Sequence, residues 1–388
     1  MNSTNFAALL TQYTRRIRAS AGDVADEIGV SRETINKWKK GLCKPSHKHR
    51  NLVLACAKFL RLTEPETREF LKTAGFEATF EEAIFTDFIH SLFDRLSQSR
   101  PYSVIVLLIR ACWHELPCKD ALLAQAINRY LPANVLDIQP PYSPNVDANR
   151  YFSTLGKQCQ FKDVSDDAGF EQALLERLEN TQPLFLFVNR FERSKPFLRE
   201  QLAATLGTVS DIYPNRLHII LCGAEKMAAL KYQNPDELPL LDDAVVEPWP
   251  ELGRTEVYAW RNYRFKGLPL DEALVDQLLT ISGGHPCLLN KCLGFRQHAP
   301  DLAIEDYPKA LSQCESVWPL FTSFRKEAST RQQLSQYLQQ DDLGKAQPYI
   351  IDPLVRQMYW RNLLRVRERR LCWRCEALLL SGREVLDN

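Results

Sequence analysis

Apolar residues return every three or four positions through the first quarter of this 388-residue chain, then change period. Val24, Ala25 and Ile28 mark the inward face of one short helix, and Ile35 and Trp38 that of the next. Between them Gly29 supplies the positive φ that ends the first helix, and Val30 plugs the core. Ser31, with Thr34 three residues on, opens the second helix at once, which is expected over 31–40. Residues 5–76 therefore read as short helices joined by tight turns. In 77–100, Ile84, Phe88, Leu92 and Leu96 recur at steps of four, predicting a connecting amphipathic helix that stops at Arg100-Pro101. From 102 onward, 102–110, 183–188 and 217–221 are apolar without alternation. The stretches 119–130, 169–180 and 197–206 have helical spacing, and 140–149 reads as a loop. Strands that are apolar on both faces and separated by helices imply a parallel sheet covered on each side. Beyond about 247 the pattern is helical again, over 254–265 and 271–282, with a stop at Gly283-Gly284. Residues 305–388 read as helices followed by a hairpin: 363–366, a turn at 367–369, and 370–380.

The fold class expected is thus multidomain α and α/β. An all-α head (1–76) and a helical linker (77–100) precede an α/β body (101–246), a helical segment (247–304) and a C-terminal domain of winged-helix pattern (305–388). The chain length suits two to four domains. Charge sharpens the picture. The overall net charge is +1, yet residues 1–76 carry 14 Lys/Arg against 7 Asp/Glu, and the remainder is net negative. A basic head on an acidic body points to a polyanion as the head's partner. No apolar run reaches the roughly 18 residues that cross a bilayer, and no basic segment precedes an apolar one at the start, so a cytoplasmic protein is expected. The 11 cysteines are odd in number and scattered, as suits a reducing compartment. Cys372 and Cys375 have redox or metal-motif spacing, but no second Cys/His pair stands at zinc-finger distance, and on a strand the two would face opposite ways.

The helix expected over 31–40 carries the chemistry. With Ile35 and Trp38 inward, Arg32, Glu33, Asn36, Lys37 and Lys40 point outward. Asn can pair with an adenine edge and Arg with a guanine edge, while Lys37, Lys39, Lys40, Lys44, Lys48 and Arg50 can meet phosphates. His47 and His49 flank this basic stretch and are expected near phosphate rather than on a metal. This segment resembles the Xre/Cro, lambda-repressor-like helix-turn-helix family in Ala25, Gly29, Ser31, Ile35, Trp38, Gly41 and Pro45. The resemblance covers about a fifth of the chain and implies a double-stranded DNA partner, read by Ser31, Arg32, Glu33, Thr34, Asn36, Lys37, Lys40, Lys44 and Lys48. The family often has Gln at the start of its second helix to grip a phosphate. Here Ala21 stands there, leaving that contact missing or supplied by Ser20.

Residues 102–300 resemble AAA+/STAND P-loop ATPases in their order of parts. A strand at 104–109 precedes a loop and helix, a strand at 184–188 ends in Asn189-Arg190-Phe191-Glu192, and 217–223 resembles a sensor-1 strand. Gly283-Gly284-His285-Pro286 resembles the lid turn of STAND ATPases. The chemistry such a resemblance implies is depleted. A phosphate loop needs Gly so that backbone N–H groups can wrap the phosphates, and no Gly occurs between Gly75 and Gly156. The best alignment of the motif falls on Trp113, Cys118, Lys119 and Asp120. Only the Lys survives, and Asp120 stands where Ser/Thr would hold Mg²⁺. Asn189 replaces the metal-orienting Asp, and Glu192 is displaced. Lys119, Asp120, Asn189 and Glu192 are therefore read as a degenerate nucleotide site in a pseudo-ATPase body, with no cofactor required. ATP binding by some altered mode, and an active switch dependent on Lys119, are the weaker readings. His285 reads as part of a helix-stop turn rather than a catalytic group.

Residues 355–375 hold seven Arg and one Glu, and the hairpin alternates Arg with apolar residues. Such a hairpin either packs on the body or a partner subunit, or adds a second DNA contact. Two functions compete. One is a sequence-specific transcriptional regulator whose body oligomerises, as a dimer or higher, or senses a protein partner. The other is a DNA-assembly, target-selection or regulatory component of a transposon or phage-defence system, binding DNA without sequence preference.

Overall fold

The structure, a computed structural model, describes residues 5–46, 49–76, 83–98, 103–130, 132–179, 183–233, 238–325 and 327–387. These fall into two compact units that divide between Ala83 and Ile84.

Among the described residues the first unit is a cluster of helices: α1 (Phe6–Arg16), α2 (Ala21–Ile28), α3 (Arg32–Lys39), α4 (Arg50–Phe59) and α5 (Glu64–Ala74). Each starts and stops where side-chain chemistry allows. Asn5 caps α1 by accepting from the Ala8 N–H at 2.9 Å. Ser20 and Asp23 form a reciprocal box at the start of α2, at 3.2 and 2.7 Å. Gly29 ends α2 at φ +70° with its N–H on the Ala25 carbonyl, and Ser31 caps α3 two residues later. The core gathers Phe6, Leu10, Val24, Ile28, Ile35, Trp38, Val53, Leu54 and Phe70. Trp38 lies edge-on to Phe6, with ring centroids 6.1 Å apart. Ile35 is fully buried, and burying such a side chain stabilises by about 1.5–3 kcal/mol. These two residues fix which face of α3 remains open.

The second unit opens with α6 (Thr86–Gln98), followed by β1 (Val104–Leu108), α7 (Cys118–Arg129), β2 (Val135–Ile138), α8 (Ala148–Gln158), α9 (Asp167–Glu179) and β3 (Leu184–Asn189). Then come α10 (Pro196–Ile212), β4 (Leu217–Gly223), α11 (Glu225–Tyr232), α12 (Pro239–Asp242) and β5 (Val245–Pro248). The strands form one parallel sheet in the order β2-β3-β4-β1-β5. Side chains alternate across it. Leu184, Leu186 and Val188 of β3 join the core built by α8, α9 and α10. Phe185 turns the other way, 5.4 Å from Phe93 of α6 and 5.2 Å from Tyr130 beyond α7. Both faces are covered, which is why the central strands are mostly apolar and show no alternating period.

Beyond the sheet lie α13 (Arg254–Arg264), α14 (Glu272–Ser282), α15 (Pro286–His298), α16 (Tyr307–Ser312), α17 (Ala328–Tyr337) and α18 (Pro353–Trp360). An antiparallel hairpin of β6 (Leu364–Arg367) and β7 (Arg370–Trp373) and a last helix, α19 (Glu376–Asp387), complete the unit. Among the described residues no helix is long and apolar enough to cross a membrane.

Several expectations need correction. The helix expected to link the units belongs to the second one: Ile89, Leu92, Phe93 and Leu96 are fully buried there. Residues 77–82 lie outside the described residues. The segment 140–149 is not all loop, because Asp147 caps α8 by accepting from the Arg150 N–H at 2.8 Å. Position 247 is not a boundary but the middle of edge strand β5, paired with β1 from Ile105↔Val245 to Leu108↔Pro248. The second hairpin strand ends at Trp373 rather than running to 380, since the helix formers from Glu376 onward start α19.

Candidate functional site

Two places hold the residues singled out above, one in each unit. In the first, Ser31 caps α3, accepting from the Thr34 N–H at 3.2 Å and meeting the Thr34 hydroxyl at 2.9 Å. Because Ile35 and Trp38 are buried, Arg32, Glu33, Asn36, Lys37 and Lys40 are exposed together, with Thr34 at the margin. Arg32, Asn36 and Lys40 follow at steps of four, one per turn along a single solvent face. Lys37 pairs with Glu33 at 2.9 Å. That hydrogen bond lowers the Glu33 carboxyl and raises the Lys37 ammonium from their ordinary values. An exposed pair of this kind is worth little and yields readily to another anion. Lys44 is exposed just beyond the helix, and Lys48 and His47 lie outside the described residues. The His49 ring lies tilted against Trp38, at 6.0 Å between centroids.

Two features of this surface escaped sequence reasoning. Asp23 occupies the first turn of α2, and it and Ser20 each accept from the other's backbone N–H. The Ser20 oxygen is thereby committed within the helix, beside the Asp23 carboxylate. Spacing alone signalled this, since Ser20-x-x-Asp23 is a capping-box pattern. Leu42 stands 72% exposed after α3. An apolar side chain there suits a thymine methyl group, but a single Leu in a basic stretch leaves no periodic mark.

In the second unit, β1, β4 and β3 end side by side on the carboxyl edge of the sheet, where open α/β sheets bind ligands. The loop after β1 is bonded to the protein itself. The Ile109 N–H donates to the Gly223 carbonyl and the Ala111 N–H to the Trp360 carbonyl, both at 2.9 Å. Cys112 turns at φ +67°, Trp113 is buried, and α7 begins at Cys118 without a side-chain cap. Lys119 is paired with Asp137 of β2 at 2.6 Å, and Asp120 is exposed in the first turn of α7. Asn189 ends β3 in register with Cys222. Glu192 is buried in the short helical turn beyond it, against the end of β4, where a Cβ on Gly223 would come within 2.6 Å of its Oε2. Burial pushes the Glu192 carboxyl up, against the pull of backbone N–H groups and nearby arginines. His285 is also buried. Its Nδ1 accepts from the Leu288 N–H at 3.4 Å and so caps α15, while burial pushes its imidazole pKa down.

A buried charge cluster next to this loop was not visible in the sequence. Arg374 has no exposed side-chain surface. It donates to both oxygens of Glu251 (2.7 and 3.2 Å), to the Gly283 carbonyl (2.9 Å) and to the carbonyls of Asn362 and Leu364 (3.0 and 3.2 Å). Arg110, at the exit of β1, donates to the same Glu251 carboxylate and to the Leu364 carbonyl. Burial alone would push the Glu251 carboxyl up, but Arg374 and then Arg110 outweigh it and hold it at about 2. Cys372 is half-buried and Cys375 buried, both as free thiols.

No family model matches this chain, and no curated protein does. Solved structures do. The Walker-type ATPase PABY2304 of Pyrococcus abyssi is similar with a TM-score of 0.55 at 12% identity, over 79% of this chain and 98% of that one. The Aeropyrum pernix ORC2 protein in its ADPNP–ADP complexes gives 0.40 at 14% identity, over 78% and 92%. Cdc6p of Pyrobaculum aerophilum gives 0.37 at 12%, over 79% and 94%. The first likeness, with the 2-3-4-1-5 parallel sheet, defines the fold: an α/β body like that of this Walker-type ATPase, with helical regions beyond the sheet.

Proposed function

We propose that this protein is a sequence-specific DNA-binding regulator, with a helix-turn-helix head of the Xre/Cro type on an ATPase-like body that does not hydrolyse ATP. One observation carries the DNA reading: Ile35 and Trp38 anchor α3 so that Arg32, Asn36 and Lys40 line one exposed face. Arg32, Glu33, Asn36 and Lys37 read base edges. Ser31, Thr34, Lys40, Lys44 and Lys48 hold phosphates. Two heads in a homo-oligomer, a dimer or larger, read half-sites about one helical turn apart. Hydrolysis is lost because the stretch where a phosphate loop belongs has no Gly, and because Lys119 already neutralises Asp137. The helices and hairpin of 305–388 serve as a winged-helix-like packing element.

Selection of bound fragments from random duplexes, with and without ATP, tests this. A recovered motif with two half-sites, unchanged by ATP, is expected. Recovery of no motif, with continuous coating of long DNA, would instead favour a DNA-assembly component of a mobile element or defence system.

A further inference from the structure

In this structure the carboxyl edge of β1 is roofed by the chain's own C-terminal region. The Trp360 carbonyl takes the Ala111 N–H, and the Leu364 carbonyl takes Arg110. A cavity of about 50 Å³ remains beside Arg110, between Leu108, Pro248, Tyr359 and Trp360. The joint is close enough that a Cβ on Gly283 would run into the Arg374 main chain, and Gly283 sits at φ +59°. Two guanidiniums converge there, and one carboxylate bridges them and offsets part of their repulsion. That carboxylate is unusual in its setting: the Arg374 and Arg110 side chains are 0% and 8% exposed, whereas Glu251 is 43% exposed. The cations are built in and the anion is at the door.

We propose that Glu251 is an exchangeable latch. By bridging Arg110 and Arg374 it closes the C-terminal helix and hairpin, 353–373, over the sheet edge. It thereby holds the sheet edge, the Gly283 turn and the hairpin together. An external carboxylate that displaces Glu251 keeps an anion between the arginines but releases the tether to the Glu251 segment. The latch goes beyond the reading of a body that works without nucleotide and stands on the Arg110–Glu251–Arg374 geometry itself.

Hydrogen–deuterium exchange on the full chain tests it. Glu251→Ala should speed exchange across 283–285 and 361–374 by about tenfold or more, because two buried cations lose their counter-ion. Sodium acetate, but not sodium chloride at equal ionic strength, should slow it again by filling the vacated site. Wild-type exchange in Glu251→Ala, or rescue by chloride alone, would overturn the latch. If that variant does not fold, Glu251→Gln decides in its place: it should open the same segments, and no change would overturn the proposal. ATP with Mg²⁺ added to wild type separates the two readings. Altered exchange there, with Glu251→Ala still opening the segments, would sink the nucleotide-free body and leave the latch standing.

Discussion

Asn36 and Lys40 lie one helical turn apart on the same face of α3, yet they should fail differently when removed. An Asn that pairs with a base edge carries sequence information. Asn36→Ala should therefore cost about 1–3 kcal/mol on the selected site and flatten preference at one position only. A Lys on phosphate carries none. Lys40→Ala should weaken every duplex alike and reduce the slope of log affinity against log salt by about one. Titrations of cognate and scrambled duplexes at several salt concentrations distinguish the two outcomes. This face was legible in the sequence because inward and outward residues of a short helix are fixed by two large apolar anchors, Ile35 and Trp38. The ionic partners of the body were not. Lys119 finds Asp137, and Arg110 finds Glu251, across separations that no local period spans.

At the scale of elements, legibility followed burial. β1, β3 and β4 are covered on both faces and so appear as mostly apolar runs, broken only by His218 in β4 and Asn189 at the end of β3. β2 (Val-Leu-Asp-Ile) and β5 (Val-Val-Glu-Pro) are four-residue strands at the two edges of the sheet, each carrying a polar residue that breaks the run. Glycine at element ends gives a second contrast. Gly29 and Gly283 both sit at positive φ, but only Gly283 has backbone pressed against its missing Cβ. Gly29→Ala should then cost the left-handed strain alone, about 1–2 kcal/mol in the first unit. Gly283→Ala adds displacement of the hairpin and should cost about 2–5 kcal/mol in the second. Chemical denaturation followed by a probe in each unit would measure both, and equal losses would mean that the lid–hairpin joint is looser than its geometry.

For the molecule as a whole, acid should expose the latch. A carboxyl whose folded pKa is depressed contributes stability above its ordinary value, and that contribution disappears as pH falls through the folded one. Glu251 is held at about 2 against an ordinary 4.5. The second unit should therefore be more stable in wild type than in Glu251→Gln at pH 7, with the gap closing between pH 4.5 and 2. Urea melts across that window give the difference directly, and a constant gap would remove the charge from the explanation.

Nucleotide provides the last test of how the body works. Any ligand that binds only the folded state stabilises it by about 2.7 kcal/mol at a hundred times its Kd. That is ample to shift a melting curve. Millimolar ATP with Mg²⁺ should leave the melting temperature of the chain unmoved, since the loop after β1 offers its N–H groups to Gly223 and Trp360. Lys119→Ala should lower stability by at most about 1 kcal/mol, the worth of a half-exposed ion pair, with or without ATP. A shift with ATP that vanishes in Lys119→Ala would mean that this lysine leaves Asp137 for a phosphate, and that the fold has kept a ligand its loop no longer advertises.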